Sequence, residues 1–338
     1  MASLHFLLNR LLLAVPTLLG VAVIAFVVLR VVPGDPIAMM TPPGASEADV
    51  ARLRALYGLD RDIASQFFIW VGEVARGDFG TSISLRGDVL GLVLGALPAT
   101  LELCIVAILL AILSGGGLAI AGAYFRGPVE AAIDGIIAVV QAIPDFLWGL
   151  LLILVVGVLM VDNFNLPISL RVDPKLELQP ATGFLLFEYL VRGRFDVVGD
   201  ILSHLVLPSI ALALPLVAVI ARVLKGAVVE ALAQDYVVLA RVKGHTRWGI
   251  VVGQALRNAL IPTVTLTGVQ FTFLVGGTVL VEKIFTYPGV GGLAIDAVIN
   301  RDLPLIQGVV LTFAVLFILV NLLVDLSYAL LNPRLRHG

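Results

Sequence analysis

The chain of 338 residues is 59% hydrophobic and 14% charged, with a formal net charge of −2 and a mean hydropathy of +1.06. This composition excludes an ordinary soluble domain, offers no basic excess for nucleic acid, and defines an integral membrane protein. One cysteine (Cys104) and four scattered histidines (His5, His204, His245, His337) predict neither a disulfide framework nor a metal centre.

Crossing the hydrocarbon core takes about 20 apolar residues. Six stretches qualify, at about 11–32, 99–122, 133–160, 204–224, 259–281 and 306–330. The first is too long for a signal peptide and ends in "VVPGDP" without a small-x-small site, so it is expected to remain as a span. Lys and Arg are about twofold denser on the side of the termini, counting Arg10, Arg126, Arg222, Lys225, Arg241, Lys243, Arg247, Arg257, Arg334 and Arg336. The expectation is an all-α membrane protein with six transmembrane helices, N-in and C-in. No repeat or linker divides it, so 1–338 is expected to form a single transmembrane domain.

Between the first two spans, the outer loop 33–95 carries two helix signatures. "GASEADVARLRALYG" offers Ser46 as N-cap and Gly58 as stop; "DIASQFFIWVGEVARGDFG" offers Asp62 and Gly77. Both read as short interfacial helices. "SGGGLAIAG" (114–122) lies within a span and has no lysine, so close helix packing suits it better than phosphate binding. No G-x-x-x-x-G-K-[ST], H-E-x-x-H or G-x-S-x-G occurs, and no catalytic constellation is visible.

The third span contains "QAIPDFLWG". Pro144 frees the carbonyl of residue 140 and can kink the helix. Asp145 follows it, with Gln141 one turn earlier. An ionisable residue at this depth is costly and is a functional candidate by default. Gln141 and Asp145 are therefore candidates for a translocation path meeting a cationic group. The plainer alternative bonds Asp145 to a neighbouring span or keeps it protonated. Outside, 163–183 is Pro-punctuated and expected to be irregular, whereas 282–308 should pass from a Gly-rich turn into a short helix. Glu102 reads as orienting a helix. Arg301 and Asp302 read as lining the outer mouth or as a structural pair.

The cytoplasmic loop 228–257 holds "DYVVLARVKGHTRWGIVVGQALRNALIP" (235–262) at its centre. Asp235 is placed to cap a helix, Arg241 and Lys243 fall in its last turn, and Gly244 suits a left-handed C-terminus. The helix would be about 13 Å long. Tyr236, Val237, Ala240 and Gly244 would form one small strip, and Thr246 would cap the next helix, running into the fifth span. Such a capped helix suits insertion into a partner's groove. On spacing alone, an ordinary solvated loop explains the stretch equally well.

The same stretch resembles the coupling loop of ABC-importer permeases, E-A-A-x₃-G-x₉-I-x-L-P. With its Gly on Gly244, the residues Ala240, Gly244 and Leu256 match, while Val238 and Arg257 stand where the family has Glu and Pro. The departure is similar to that of the dipeptide/oligopeptide/nickel branch. "RVVPGDP", "YGLD", "GDFGTS", "LPATLEL", "VEKIFTYPGVGGLAIDAVINRDLPLIQG" and "NLLVDLSYALLNPRLR" resemble the B-type permease of that branch in order from residue 30 to 336. The resemblance implies a type I importer fold in a bacterial inner membrane, multi-pass. It implies a homologous C-type permease, cytoplasmic ABC ATPase subunits that hold ATP and Mg, and an extracytoplasmic substrate-binding protein. No cofactor is expected on this chain. Docking on the ATPase would fall to Asp235, Tyr236, Ala240, Arg241, Lys243 and Gly244. The rivals are an ion-coupled secondary transporter, for which only Asp145 speaks, and an uncoupled channel. Peptide is the default substrate.

Overall fold

The computed structural model describes residues 2–31, 46–56, 60–125, 127–160 and 166–331. Regular structure among them is helical, apart from an isolated antiparallel bridge between Thr81 and Asp88. The helices are α1 (Ala2–Val31), α2 (Glu47–Leu56), α3 (Ile63–Val74), α4 (Val89–Tyr124), α5 (Pro128–Ala142) and α6 (Asp145–Leu152), the last continuing as a π-helical turn, Ile153–Leu159. Then come α7 (Leu185–Val191), α8 (Phe195–Leu232), α9 (Asp235–Val242), a π-helical segment Gly249–Ala255 leading into α10 (Leu256–Ile284), α11 (Val290–Ile299) and α12 (Leu303–Leu331).

Four helical stretches are long and apolar enough to cross a membrane: Val89–Tyr124, Phe195–Leu232, Gly249–Ile284 and Leu303–Leu326. They match the second, fourth, fifth and sixth expected spans. In the third expected span, 133–160, the disturbance expected at Pro144 is a sharp break: α5 and α6 meet at a 98° bend, forming a broken span or a re-entrant loop. Proline chemistry explains the break. Pro144 has no N–H to give, and the residue before it is pushed out of the helical region. Ile143 accordingly sits at φ −101°, ψ 124°. The freed Val140 carbonyl accepts a hydrogen bond from the Trp148 indole at 3.2 Å. In α1, the described apolar stretch is Leu12–Val28.

The chain packs as two compact units, one of residues 3–97 and 292–318, the other of 98–291 and 319–338. In the first, the Asp62 carboxylate caps α3 by accepting from the Ser65 N–H at 2.9 Å and its hydroxyl at 2.6 Å. Gly77 ends the turn after α3 at φ +88°. Phe26 of α1 is buried against Phe67 and Trp70 of α3. Helix α2 begins directly after Ser46, whose carbonyl accepts from Val50; Gly58 lies outside the described residues. Asp302 is buried, accepting from the Ser82 hydroxyl at 2.6 Å, from Ser84 N–H at 2.9 Å and from Leu305 N–H at 3.2 Å. Burial opposes its charge, but the Ser82 and Ser84 bonds win and hold its carboxyl below the usual range. Of the two readings of Asp302, the structural one holds.

In the second unit, α8 is the central post. Its buried residues run from Val197 to Ala231, and α5, α6, α7 and α10 pack around it. Close approach is set by Gly115 of α4: a Cβ there would stand 2.9 Å from the Val217 carbonyl and 3.2 Å from Ile220 Cβ. Gly117 faces open space, and Ile105, Leu109 and Leu113 are exposed, as a lipid-facing surface requires. The irregular 166–184 segment is tied down at charged points. Arg171 meets Glu102 at 2.6 Å and also donates to the Gly183 carbonyl at 2.8 Å. Glu188 accepts from the Ala181 N–H at 2.8 Å and from the Thr182 N–H and hydroxyl at 2.9 and 2.7 Å.

Two expectations follow. Gly115→Ala should lower the thermal midpoint of the detergent-purified chain through overpacking of about 1–3 kcal/mol, while Gly117→Ala should leave it unchanged or raised. Equal midpoints would contradict the close α4–α8 approach. The Ala181 and Thr182 hydrogen bonds hold the Glu188 carboxyl at about 2, against 4.5 for a free one. A depressed value contributes stability fully above the free value and loses it as pH falls through the bound one. The 181–188 tether should thus weaken progressively below about pH 4.5 and vanish only near pH 2. Amide exchange at Ala181 and Thr182, corrected for intrinsic rate, measures this against Glu188→Gln.

Candidate functional site

Helix α9 is short because it starts at an extended Gln234 and is stopped by the left-handed Gly244. Gln234, extended at φ −81°, ψ 154°, occupies the N-cap position, and its carbonyl accepts from Val237 N–H at 3.0 Å. The expectation that Asp235 caps the helix is corrected: it is the first helical residue and makes no side-chain cap bond. Its charge still sits in the first turn, where the helix dipole favours it. At the other end, the His245 N–H reaches the Ala240 carbonyl at 3.2 Å and the Gly244 N–H reaches Arg241 at 3.0 Å. With Gly244 at φ +81°, this is the Schellman arrangement that glycine permits. Thr246 Oγ1 then accepts from Gly249 N–H at 3.2 Å, so it caps the helical run into α10 as expected. That run begins in π-helical form, which periodicity did not signal.

The strip of Tyr236, Val237, Ala240 and Gly244 does not face outward as a unit. Val237 is fully buried and Ala240 nearly so, packed with Ile250 and flanked by Leu232 and Tyr236. The Tyr236 hydroxyl accepts from Asn258 at 2.9 Å. These side chains seat α9 on its own chain. The exposed face carries Val238, Leu239 and Val242, the last 80% exposed, beside Arg241 and Lys243. Three exposed aliphatic side chains at i, i+1 and i+4 of one rigid helix make a compact apolar knob rimmed by cations. The sequence reading missed Val238, Leu239 and Val242. No local pattern marks them, because Val238 and Val242 are as apolar as Val237 and the inward side is set by Ile250, beyond the Gly244 turn.

Gln141 and Asp145 fall on opposite sides of the α5–α6 break rather than one turn apart on a single helix. Gln141 is exposed in the last turn of α5. Asp145 opens α6, is half-buried, and accepts from the Phe146 N–H at 2.7 Å. Its other oxygen lies against Gly277 of α10, where a Cβ would stand 2.7 Å away. Glycine at 277 therefore admits the carboxylate to the α10 surface.

Two charged contacts, one partly exposed and one buried, escaped the sequence. Lys225 of α8 is clamped by Glu130 at 2.9 Å and Asp134 at 2.8 Å, both on α5. Glu282, fully buried near the end of α10, accepts from the Thr100 hydroxyl at 2.7 Å, and its carboxylate occupies the space a side chain at Gly289 would need. Thr100 accepts in turn from Val290 N–H at 2.9 Å. Gly289 and Gly291 of "YPGVGG" thus make room for an acid seven and nine residues earlier. Among the described residues, no group of His, Cys, Asp and Glu could hold a metal ion.

Residues 107–337 match the family of the binding-protein-dependent transport system inner membrane component, and residues 3–104 match the N-terminal family of such membrane components. The chain belongs to this family: it is a multi-pass inner-membrane permease of an ABC importer. It is 38% identical to the dipeptide transport system permease protein DppB of Escherichia coli K12 over 99% of both chains. It is also 38% identical to the di/tripeptide transport system permease protein DppB of Pseudomonas aeruginosa, and 36% to the glutathione transport system permease protein GsiC of Salmonella choleraesuis, each over 99% of both chains. The secondary-transporter rival is set aside by this membership.

If Val237 seats α9, then Val237→Asp, which would bury an unpaired charge at a cost of several kcal/mol, should free the helix. Amide exchange across 235–242 should rise toward that of an unstructured loop. Val242→Asp should leave exchange nearly unchanged. Matching behaviour of the two variants would contradict the inward and outward faces assigned here.

Proposed function

We propose that this permease forms, with a homologous C-type permease, a path for short peptides delivered by an extracytoplasmic binding protein, and that α9 is the element through which cytoplasmic ATPases operate it. The observation that carries the reading is the exposed Val238–Leu239–Val242 face on a helix fixed at both ends. An apolar helical face of this size fits a groove on a partner, with Arg241 and Lys243 at its rim. Asp235, Tyr236, Ala240 and Gly244 support it from the chain side. ATP and Mg belong to the ATPase subunits, and this chain carries no ATPase activity. In this reading six spans, with α1 and the bent α5–α6 pair each counted as one, leave both termini and α9 on one side, and the density of Lys and Arg there favours the cytoplasm. Relatives named for dipeptides, di/tripeptides and glutathione favour small peptides as substrates.

Mechanically, closure of two ATPases on ATP would draw α9 toward its counterpart. A rigid helix transmits that displacement, provided it binds the closed ATPases more tightly than the open ones. Displacement of α9 acts on the Gly249–Ile284 run, on which Asp145 rests through Gly277. Asp145 and Gln141 flank the break in the third span, and in this reading the Asp145 carboxylate meets the peptide's terminal ammonium.

Val242→Glu, assayed in the reconstituted importer, should keep the chain folded and inserted but cut binding-protein-stimulated ATP hydrolysis and uptake by about tenfold or more, as for loss of a buried apolar anchor. Uptake at the normal rate would sink the docking assignment. Asp145→Asn should lower uptake of peptides with a free amino terminus more than that of N-acetylated ones. Equal losses for both would remove Asp145 from the path while leaving α9 in place.

A further inference from the structure

Beneath α9 lies a cleft of about 440 Å³ that shares Arg241 with the proposed docking rim but is otherwise lined by residues the coupling role does not use. Arg241, His245 and Arg247 stand on its polar side, and no acidic side chain lines it. Its floor is apolar, made by Ala123, Leu232, Ile250 and Val251. The cleft therefore joins a cluster of cations to a hydrocarbon surface at one place. Ala123 lies one residue from the end of the Val89–Tyr124 span, and Ile250 and Val251 are at the start of the Gly249–Ile284 span. Ala123 directly follows the expected second span, 99–122, and Val251 packs in one cluster with it, so the cleft falls where that span would leave the hydrocarbon core. Aromatic residues mark the same level: Tyr124 and Trp248 meet edge to face at 5.6 Å, and the Arg247 guanidinium is held 5.0 Å over the Tyr124 ring. Tyr and Trp concentrate at the headgroup depth of a membrane.

We infer that this cleft binds the phosphate of an anionic phospholipid, with Arg241 and Arg247 on the phosphate and the glycerol and first acyl carbons on the Ala123, Leu232, Ile250 and Val251 floor. A free phosphate would satisfy the cations and leave the floor exposed to water. An acidic side chain from a partner protein would do the same. Only an amphiphile matches both sides of the cleft. Basic pockets at the cytoplasmic ends of transmembrane helices are suited to such headgroups, each nearby cation contributing about 1 kcal/mol. The consequence is that α9 is seated partly on lipid. Its C-terminal turn, which contains Arg241, is steadied by the membrane from below while Val238, Leu239 and Val242 remain free above. The inference rests on the proposed inward orientation only in assigning the leaflet.

The test uses the whole importer in nanodiscs of phosphatidylethanolamine with or without phosphatidylglycerol, the same in both leaflets, so that orientation does not affect it. Lipids retained after extraction are counted by native mass spectrometry. Wild type should retain phosphatidylglycerol saturably, and R241Q/R247Q should bind it about thirtyfold more weakly, the effect of two cations at about 1 kcal/mol each. R241K/R247K should restore retention, because the point charges remain, which separates charge from any loss of folding. Lys175→Gln, on the opposite loop, should change nothing. Equal retention by wild type and R241Q/R247Q would overturn the assignment. So would an equal fall for phosphatidylethanolamine, or occupancy of the cleft by added inorganic phosphate with no lipid retained. These readouts count lipid, not transport, so a failure of the coupling role leaves them interpretable.

Discussion

Inside a bilayer a helix must satisfy its own backbone, because no water is there to do it. Most of this chain obeys by keeping long uninterrupted helices, and its shape is decided where it does not. The sharpest exception is Ile143–Pro144, where a missing N–H and an extended residue turn α5 from α6 by 98°. One freed carbonyl, Val140, is taken by the Trp148 indole, so the break is closed rather than left open. It has a second effect. Asp145 becomes the first residue of a helix, where its side chain can accept from the Phe146 N–H. A proline and an acid that look like a flaw in a span together place a carboxyl group at a helix start within the bundle.

The charged pairs obey the same constraint in another way. Glu102 of α4 meets Arg171 of the 166–184 segment, Glu282 accepts from the Thr100 hydroxyl, and Lys225 meets Glu130 and Asp134 of α5. Each contact joins segments distant in sequence, and removing one partner of the buried Glu102–Arg171 pair would leave an uncompensated charge, which costs more than the pair contributes. They act as register pins for helices whose apolar surfaces could otherwise slide. Gly115, Gly277 and Gly289 do the complementary work by letting a backbone, a carboxylate or a second chain segment come close.

Much of this was legible in the sequence, and the limits are physical. Asp62, Gly77, Gly244 and Thr246 were readable because caps and left-handed turns depend on neighbours within a few residues. Four of the spans were readable because hydrophobic length alone defines them. Asp235 was misplaced by one residue: an acid in the first turn and an acid at the N-cap satisfy the same electrostatics, and only the backbone angles of Gln234 separate them. The inward turn of Val237 and Ala240 depends on Ile250, ten residues on, across a turn of unknown direction. Arg171 and Glu102 are 69 residues apart, and no local pattern links them. Pro144 announced a disturbance but not its angle.

The two faces of α9 show why its sequence departs from an Ala-rich coupling loop without losing the helix. A knob that must be stiff can obtain stiffness from helix propensity or from tertiary seating, and valine has the poorer propensity. Here the seating does it. Val237 and Ala240 fix the helix to Ile250, the Gly244 turn fixes its end, and Tyr236 reaches Asn258. With rigidity supplied from beneath, positions 238, 239 and 242 are free to carry apolar side chains. In the proposed docking role these side chains would enlarge the contact surface, and the conformational stiffness of valine at χ1 would limit the entropy lost on covering it. Val238 in place of the glutamate and Leu239 in place of an alanine of the general pattern then make an apolar face at some cost in helix propensity, made tolerable by the buried side of the same helix.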